Sequence, residues 1–338
     1  MEQYPIKMKN ISVIIKALNE EKHIAKCIES ALVALRESGG NNEVILVDSY
    51  SSDKTVEIAK KYPIKIIQLK KDWLKTPAAA LQTGYLHSKG KFIYVLDGDM
   101  QLNKNSLKKL LPYLKEENVA GVAGIMKEPP VDNIISKRFQ KRYKKFLRIG
   151  EANYLDGGGL YKRPSIEKVG YLANPYLHSA EEADLGYQLQ KKGFKLLRLN
   201  LPTVMHHFYR ESGWKIMKNK WKRGYMKGPG QILKGCFRNR YVLQHLIILE
   251  IYFFVIFWWI IGLVSLFLSI FAGKNYFIFY ALLSCILLII LFLKKKSITD
   301  VLFSIYSWSI QGLGMVIGFF ENLKNPGDYP KDVIIIKN

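Results

Sequence analysis

An α/β domain with a mainly parallel sheet, followed by transmembrane helices, is the fold class this sequence predicts. Three observations carry it. Short β-branched runs alternate with helix-patterned stretches through the N-terminal part, the mark of repeated βαβ units. Three long apolar runs crowd the C-terminal third. Between them sits a basic block: residues 134–240 hold 24 of the 51 Lys and Arg but only 7 of the 28 Asp and Glu. With 338 residues, 49% of them hydrophobic, and a net charge of +23, the chain has room for one large domain and a smaller one.

The first strand is expected at Ile11 to Ile15. Asn19-Glu20-Glu21 then opens a helix whose apolar spacing runs through Ile24, Cys27, Ile28, Ala31 and Leu32, the period of a one-sided helix. Glu43 to Val47 reads as the next strand, closed by Asp48, and a helix follows Asp53 through Val56 and Ile58. Ile64 to Leu69 is a third strand. Thr76-Pro77 supplies a capping residue and a first-turn proline for a helix through Leu81 and Tyr85, both ordinary helix-start chemistry. Lys91 to Leu96 is a fourth strand, ending in Asp97-Gly98-Asp99. In parallel sheets of this kind ligands sit beyond the carboxyl ends of the strands. Asn19, Asp48, Asp53, Asp97 and Asp99 all fall at that edge, although a strand-end aspartate such as Asp53 also serves simply as a helix cap.

The runs Ala17-Leu18-Asn19-Glu20-Glu21, Val47-Asp48-Ser49-Tyr50-Ser51-Ser52-Asp53-Lys54-Thr55 and Leu96-Asp97-Gly98-Asp99 resemble those of family-two glycosyltransferases with the GT-A fold, in that family's order. The resemblance covers about residues 10–210. It implies a nucleotide-sugar donor, held by Ala17, Asn19, Glu20, Asp48, Asp53, Gly84, Asp97 and Gly158. It also implies Mg²⁺ or Mn²⁺ at Asp99, with Asp97 meeting the sugar or the metal through water and His206 as an additional ligand. Two carboxylates flanking a glycine suit such hard cations, which favour oxygen. Two departures stand out: Lys16 replaces the usual proline, and Ala80-Leu81-Gln82-Thr83-Gly84 lacks the usual arginine.

Further along, Gly157-Gly158-Gly159 stands where the family has a sugar-facing glycine segment, though it also reads as a flexible loop. Glu181-Glu182-Ala183-Asp184-Leu185 resembles the family's Glu-Asp-x-Asp-Leu motif, with Glu182 in place of the aspartate that acts as general base and Glu181 as the fallback. A carboxylate cluster at a helix start also answers the helix dipole on its own. The pair His206-His207 otherwise fits plain packing. The resemblance implies a single in-line displacement with inversion.

The apolar runs Ile251 to Gly273, Tyr276 to Leu293 and Val301 to Phe320 are each near the roughly 20 residues that cross a bilayer; the third is softened by serines, Gln311 and glycines. Lys294-Lys295-Lys296 and the basic residues 215–240 belong in the cytoplasm by the positive-inside rule. That places the catalytic domain, residues 1–210, inside the cell, followed by a basic juxtamembrane segment 211–240, membrane helices within 241–320 and a tail 321–338. Three crossings put the tail outside; a third segment lying in the interface keeps it inside. Buried helices of a soluble core would overwhelm a domain of this size.

The basic stretch Ser136 to Arg148, interleaved with Phe139, Tyr143, Phe146 and Leu147, reads as an amphipathic helix on an anionic membrane. Trp214 to Arg240 reads as a second interfacial segment. Nucleic acid is the other partner such charge suggests, and the adjoining apolar segments favour lipid. Cys27, Cys236 and Cys285 have no paired spacing, so neither a disulfide framework nor a zinc site is expected. No signal peptide is expected either. The reading is therefore a multi-pass membrane transferase acting on a lipid-linked glycan. Direct transfer to a polyprenyl phosphate, or a tethered binding protein without activity, are the alternatives.

Overall fold

Ile11–Ala17 forms β1, and nearly every side chain along it is buried on both faces, as expected of a central strand covered by helices on both sides. It pairs in parallel with β2 (Glu43–Asp48) and β4 (Phe92–Asp97), while β3 (Lys65–Gln68) adds in parallel to β2. The computed structural model describes residues 10–128, 137, 140–141, 143, 147–207, 211–236, 242–273 and 275–338, with only the backbone described at 236 and 242–249. The basic helix expected at Ser136 to Arg148 lies largely outside the described residues.

The expected helices are present. α1 (Ile24–Ser38) buries Ile24, Cys27, Ile28, Ala31, Ala34 and Leu35. α2 (Thr55–Ala59) follows β2. α3 (Pro77–Leu86) starts with Thr76 Oγ1 accepting from the Ala79 N–H at 3.0 Å and with Pro77 in its first turn.

Beyond β4 the sheet departs from the expectation of mainly parallel pairing. β5 (Met100–Leu102) crosses to the far edge, and after α4 (Ser106–Leu110) come β6 (Val119–Lys127), β7 (Gly150–Ala152) and β8 (Gly159–Lys162). α5 (Arg163–Val169), α6 (Glu181–Lys191) and β9 (Lys195–His206) complete this half. The order is β10-β3-β2-β1-β4-β8-β6-β9-β5, with β7 on β9. β8 runs antiparallel to both β4 and β6, and β5 and β7 antiparallel to β9, while β6 and β9 are parallel. The sheet is therefore mixed. Parallel pairing needs a crossover connection of a dozen or more residues, usually a helix, and the regular βαβ rhythm stops at β4.

The C-terminal segment is a second correction. Residues 321–338 are more than a tail: Ile334–Lys337 forms β10, antiparallel to β3 with Ile334 opposite Gln68 and Ile335 opposite Ile67. Lys337 Nζ donates to the carbonyls of Lys60 and Tyr62, Tyr329 Oη donates to the Leu74 carbonyl, and Lys70 pairs with Asp332.

The chain divides into a sheet unit, which includes Leu323–Asn338, and a helical unit, mainly Glu211–Asn322. The helical unit holds α7 (Gly213–Lys222), a 3₁₀ turn at Tyr225–Lys227, α8 (Gly228–Cys236), α9 (Val242–Ala272), α10 (Tyr276–Lys295) and α11 (Ile298–Phe320). Among the described residues, three segments are long and apolar enough to cross a membrane: Glu250–Ala272, Tyr276–Lys295 and Ile298–Phe320, with mean hydropathies of 2.5, 2.8 and 1.4. They match the three expected spans to within a few residues.

Candidate active site

The site is built where β1, β2 and β4 end side by side. Ala17 ends β1 opposite Asp48, and its carbonyl accepts from the Ser49 N–H at 2.8 Å. The chain then turns through Asn19 at φ 59°, a left-handed conformation that asparagine tolerates better than most residues. Asn19 Oδ1 accepts from the Ser52 N–H, the Glu20 N–H donates to Thr55 Oγ1, and the Glu21 N–H donates to Asp53 Oδ2. Asp53 also accepts from the Thr55 N–H and hydroxyl. These bonds hold its carboxyl below its ordinary range despite partial burial. Asp53 thus stitches two loops together and opens α2.

Asp48 is fully buried. It accepts from the Ser51 N–H at 2.9 Å, the Ser51 hydroxyl at 2.5 Å and Gln68 Nε2 at 2.8 Å. A buried carboxylate needs such donors to remain favourable. These bonds fix the loop carrying Tyr50, which is 40% exposed and has Lys75 Nζ 5.1 Å from its ring centroid.

The Asp97-Gly98-Asp99 turn links the parallel half of the sheet to the far edge rather than closing a hairpin. The Gly98 N–H donates to the Lys16 carbonyl at 3.0 Å. A Cβ on Gly98 would lie 2.9 Å from Glu20 Cγ and 3.3 Å from Ala17 Cβ, so the absent side chain is what lets this turn sit against the β1 loop. Asp99 points to His206: Oδ2 lies 3.2 Å from Nε2, and the other imidazole nitrogen is 3.5 Å from Glu128 Oε1. Burial opposes charge on His206, but the bonds to Asp99 and Glu128 outweigh it and hold the imidazolium up to about 10. His206, rather than His207, faces the aspartate.

Lys16 gathers the rest. Its Nζ lies 2.6 Å from Glu181 Oε1, 3.2 Å from Asp97 Oδ1 and 3.3 Å from Glu182 Oε1. Burial works against its charge, yet the three carboxylates hold its pKa well above the usual value. The Glu182 carboxyl is pushed up to about 8, first by burial and then by Glu181, with Lys16 acting in the opposite sense. Asp97 is raised by burial and by Asp99 against the pull of Lys16. Asp184 is committed elsewhere, accepting from Tyr171 Oη at 2.8 Å. The first turn of α6 is thus brought to the end of β4, from more than eighty residues away in sequence.

Two glycines are placed differently from expectation. Gly84 lies where α3 crosses the sheet, and a Cβ there would be 2.3 Å from Ile14 Cγ2 and 3.2 Å from Val47 Cγ2, so its missing side chain lets α3 pack this closely. Gly158 has φ 103°, donates to the Val95 carbonyl at 3.0 Å, and has Val204 where a Cβ would stand. Its neighbour Gly157 faces the site, with its Cβ position 3.5 Å from Asp97 Oδ1. At the departure noted in α3, Gln82 Oε1 accepts from the Leu172 and Ala173 N–H groups and ties α3 to the segment after α5.

Sequence reasoning missed Lys16 as a member of the site, although a lysine extending an otherwise buried strand is itself a signal. It also missed Glu128, for which the sequence carries none. Among the described residues, no three His, Cys, Asp or Glu side chains form a ready-made metal cluster. The Asp99–His206 pair stands by itself, and Asp97 Oδ1 touches Lys16 but makes no hydrogen bond.

The profile of glycosyl transferase family 2 matches residues 12–170. A relative from Methanococcus voltae, a dolichyl N-acetyl-alpha-D-glucosaminyl phosphate 3-beta-D-2,3-diacetamido-2,3-dideoxy-beta-D-glucuronosyltransferase, is 27% identical over 256 residues, 68% of this chain and 76% of its own. An undecaprenyl-phosphate 4-deoxy-4-formamido-L-arabinose transferase from Pectobacterium carotovorum is 30% identical over 145 residues, 42% of this chain and 44% of its own. The chain thus spans less than half the length of that second relative. Among solved structures, a mannosyltransferase from Pyrobaculum calidifontis in complex with GDP-Man and Mn²⁺ has the same fold, with a TM-score of 0.58 at 17% identity over 91% of this chain and 85% of that one.

Proposed function

We propose, from the match of residues 12–170 to the glycosyl transferase family 2 profile, that the chain transfers one sugar, with inversion, from a nucleotide-diphosphate sugar to a lipid-linked glycan at the membrane. The observation that carries this reading is the convergence of Asp97, Glu181 and Glu182 on Lys16, next to the Asp99–His206 pair. A transferase needs a place for a diphosphate leaving group and, opposite it, a carboxylate for the acceptor's proton. The Asp99–His206 pair is the candidate for the first and Glu182 for the second.

In the reaction the acceptor hydroxyl oxygen attacks the anomeric carbon, the bond from that carbon to the diphosphate oxygen breaks, and the nucleoside diphosphate leaves. Glu182 takes the hydroxyl proton, a role suited to a carboxyl whose pKa lies near the working pH. Lys16 positions Glu182 and Glu181 and keeps the base from drifting further upward. Asp99 and Asp97 Oδ1, with His206 once it has given up its proton, would supply the carboxylate and imidazole donors that Mg²⁺ or Mn²⁺ takes, Lys16 now standing beside the Asp97 oxygen. When bound, that cation neutralises the charge developing on the diphosphate. Ala17, Asn19, Glu20 and the Asp48–Asp53 loop line the nucleotide side, with Gly157 leaving room for the sugar. The glycosylated dolichyl phosphate in the Methanococcus relative's name supports this assignment. The Lys triplet and the basic residues before α9 support a cytoplasmic side for the sheet unit.

A second reading is transfer directly onto a polyprenyl phosphate. It is favoured by Lys16 already engaging Glu182, because a phosphate nucleophile is charged and needs no base. Glu182→Gln separates the two: it abolishes transfer to a hydroxyl acceptor and spares transfer to a phosphate.

Thermal-shift screening of the purified chain against a sugar-nucleotide panel with Mn²⁺ or Mg²⁺ tests the common premise. At least one donor raises the Tm in a metal-dependent way. Stabilisation by none of them contradicts the reading, and stabilisation without any turnover would indicate a tethered binding protein.

A further inference from the structure

The C-terminal strand fixes the parity of membrane crossings. β10 is hydrogen-bonded to β3 inside the sheet unit. The stretch that leaves this unit before Glu211 and re-enters it at Leu323 therefore begins and ends on one side of any bilayer. An even number of crossings lies between. Among the described residues three segments are long and apolar enough, so at least one of them does not cross.

Packing within the helical unit identifies it. Phe303 and Tyr306, toward the start of α11, lie against Trp214 with ring centroids 5.1 and 4.8 Å apart, and Phe303 also packs with Met217 and Met226. Toward its end, a Cβ on Gly314 would lie 2.5 Å from Met226 Cβ, and one on Gly318 would lie 2.0 Å from the Lys227 carbonyl. Just past it, Glu321 accepts from Lys227 Nζ at 3.1 Å and from Gln231 Nε2 at 2.9 Å. All these partners precede α9, in a stretch that carries Lys215, Lys218, Lys220, Lys222, Arg223 and Lys227. Phe303 and Glu321 are about 27 Å apart along a helix at 1.5 Å per residue, close to the thickness of a hydrocarbon core. A helix crossing that core cannot touch one charged, pre-span segment at both ends.

The exposed side chains of α11 agree. Ile298, Leu302, Leu313, Ile317 and Phe320 are all exposed, and their spacing puts them on one face of about 100°. α11 is also the least apolar of the three candidates and the most buried by protein, at 44% against 17% and 0%.

We propose that only α9 and α10 cross the bilayer, and that α11 lies in the leaflet on the sheet unit's side with its Ile298–Phe320 face against lipid. The occupant of this apolar face is the bilayer because α11 follows directly on α10, a span ending in Lys294 and Lys295. With α7 and α8 it forms a platform at the level where a lipid-linked acceptor presents its headgroup. The topology stands whether or not the proposed reaction does.

Single cysteines test it in the full chain with Cys27, Cys236 and Cys285 changed to serine. Glu57→Cys in the sheet unit, Gly273→Cys between α9 and α10, and Lys331→Cys beyond α11 are labelled with a membrane-impermeant maleimide in sealed vesicles of each orientation. The expected result is that Glu57→Cys and Lys331→Cys label from one side and Gly273→Cys from the other. Labelling of Lys331→Cys together with Gly273→Cys, opposite Glu57→Cys, means three crossings and overturns the proposal, as does labelling of all three from one side. β10 is exposed to a three-crossing topology only if it leaves β3, so loss of the Tm of the unmodified chain would accompany that overturning result.

Discussion

At the residue scale the account turns on Lys16 and the carboxylates it holds. Glu182 works as a base only when deprotonated, and its pKa is raised to about 8 by burial and by Glu181. With a hydroxyl acceptor, kcat/KM should therefore rise with pH toward about 8 and level off above it. An acid limb in the ordinary carboxylate range would contradict this. Lys16→Met removes a cation that lowers the Glu182 pKa, so the limb should move to higher pH, and an unmoved limb would rule out Lys16 as its positioning residue. Glu182→Gln should cost about 10²–10⁴ in kcat at unchanged Tm, measured as nucleoside diphosphate release. The sequence made the carboxylates legible because motif order carries them: Asp97, Asp99, Glu182 and His206 were all singled out and do lie at one edge. Glu128 carries no local pattern, and for Lys16 the lysine in a buried strand is a signal that does not name its partners Glu181 and Glu182, which lie on a distant helix.

At the element scale, the crossing of α3 over β1 and β2 depends on Gly84. A Cβ there would meet Ile14 Cγ2 at 2.3 Å, and such overpacking costs typically about 1–3 kcal/mol. Gly84→Ala should accordingly lower the stability of the sheet unit in chemical denaturation while leaving the KM for donor nearly unchanged. A KM effect without a stability effect would return this glycine to the donor pocket. Removal of residues 323–338 should uncover the edge of β3, since an unpaired edge strand invites association. Light scattering should then show self-association of the truncated chain, and a monodisperse, equally stable product would contradict the pairing seen at β10.

The first four strands and their helices could be read directly because each is a local alternation of period 2 and period 3.6. The mixed half could not. Strand direction at β8, β6 and β9 is decided by pairings between segments far apart in sequence, and no short-range signal states them. β10 had a signal, the apolar run Val333 to Ile336, but its position after the membrane helices hid its place at the other edge of the sheet.

For the whole molecule, charge and hydropathy segregate along the chain, and the structure follows that division. The sheet unit holds the candidate site, and the helical unit holds the apolar segments. The positive charge accumulates in residues 134–240, just ahead of those segments, where each Lys or Arg near an anionic surface is worth roughly 1 kcal/mol. Binding of the full chain to anionic vesicles should therefore exceed binding to neutral ones and weaken with salt; equal binding to both would leave the basic block without this role.

The most direct measurement is nucleoside diphosphate release by the purified full chain in lipid nanodiscs, with Mn²⁺, a panel of nucleotide sugars and a lipid-linked acceptor. The account predicts turnover of at least one donor, lost in Asp99→Ala although that variant keeps the parent's Tm. No turnover of any donor, or turnover unchanged in Asp99→Ala, would contradict the assignment of the Asp97-Gly98-Asp99 turn as the diphosphate site.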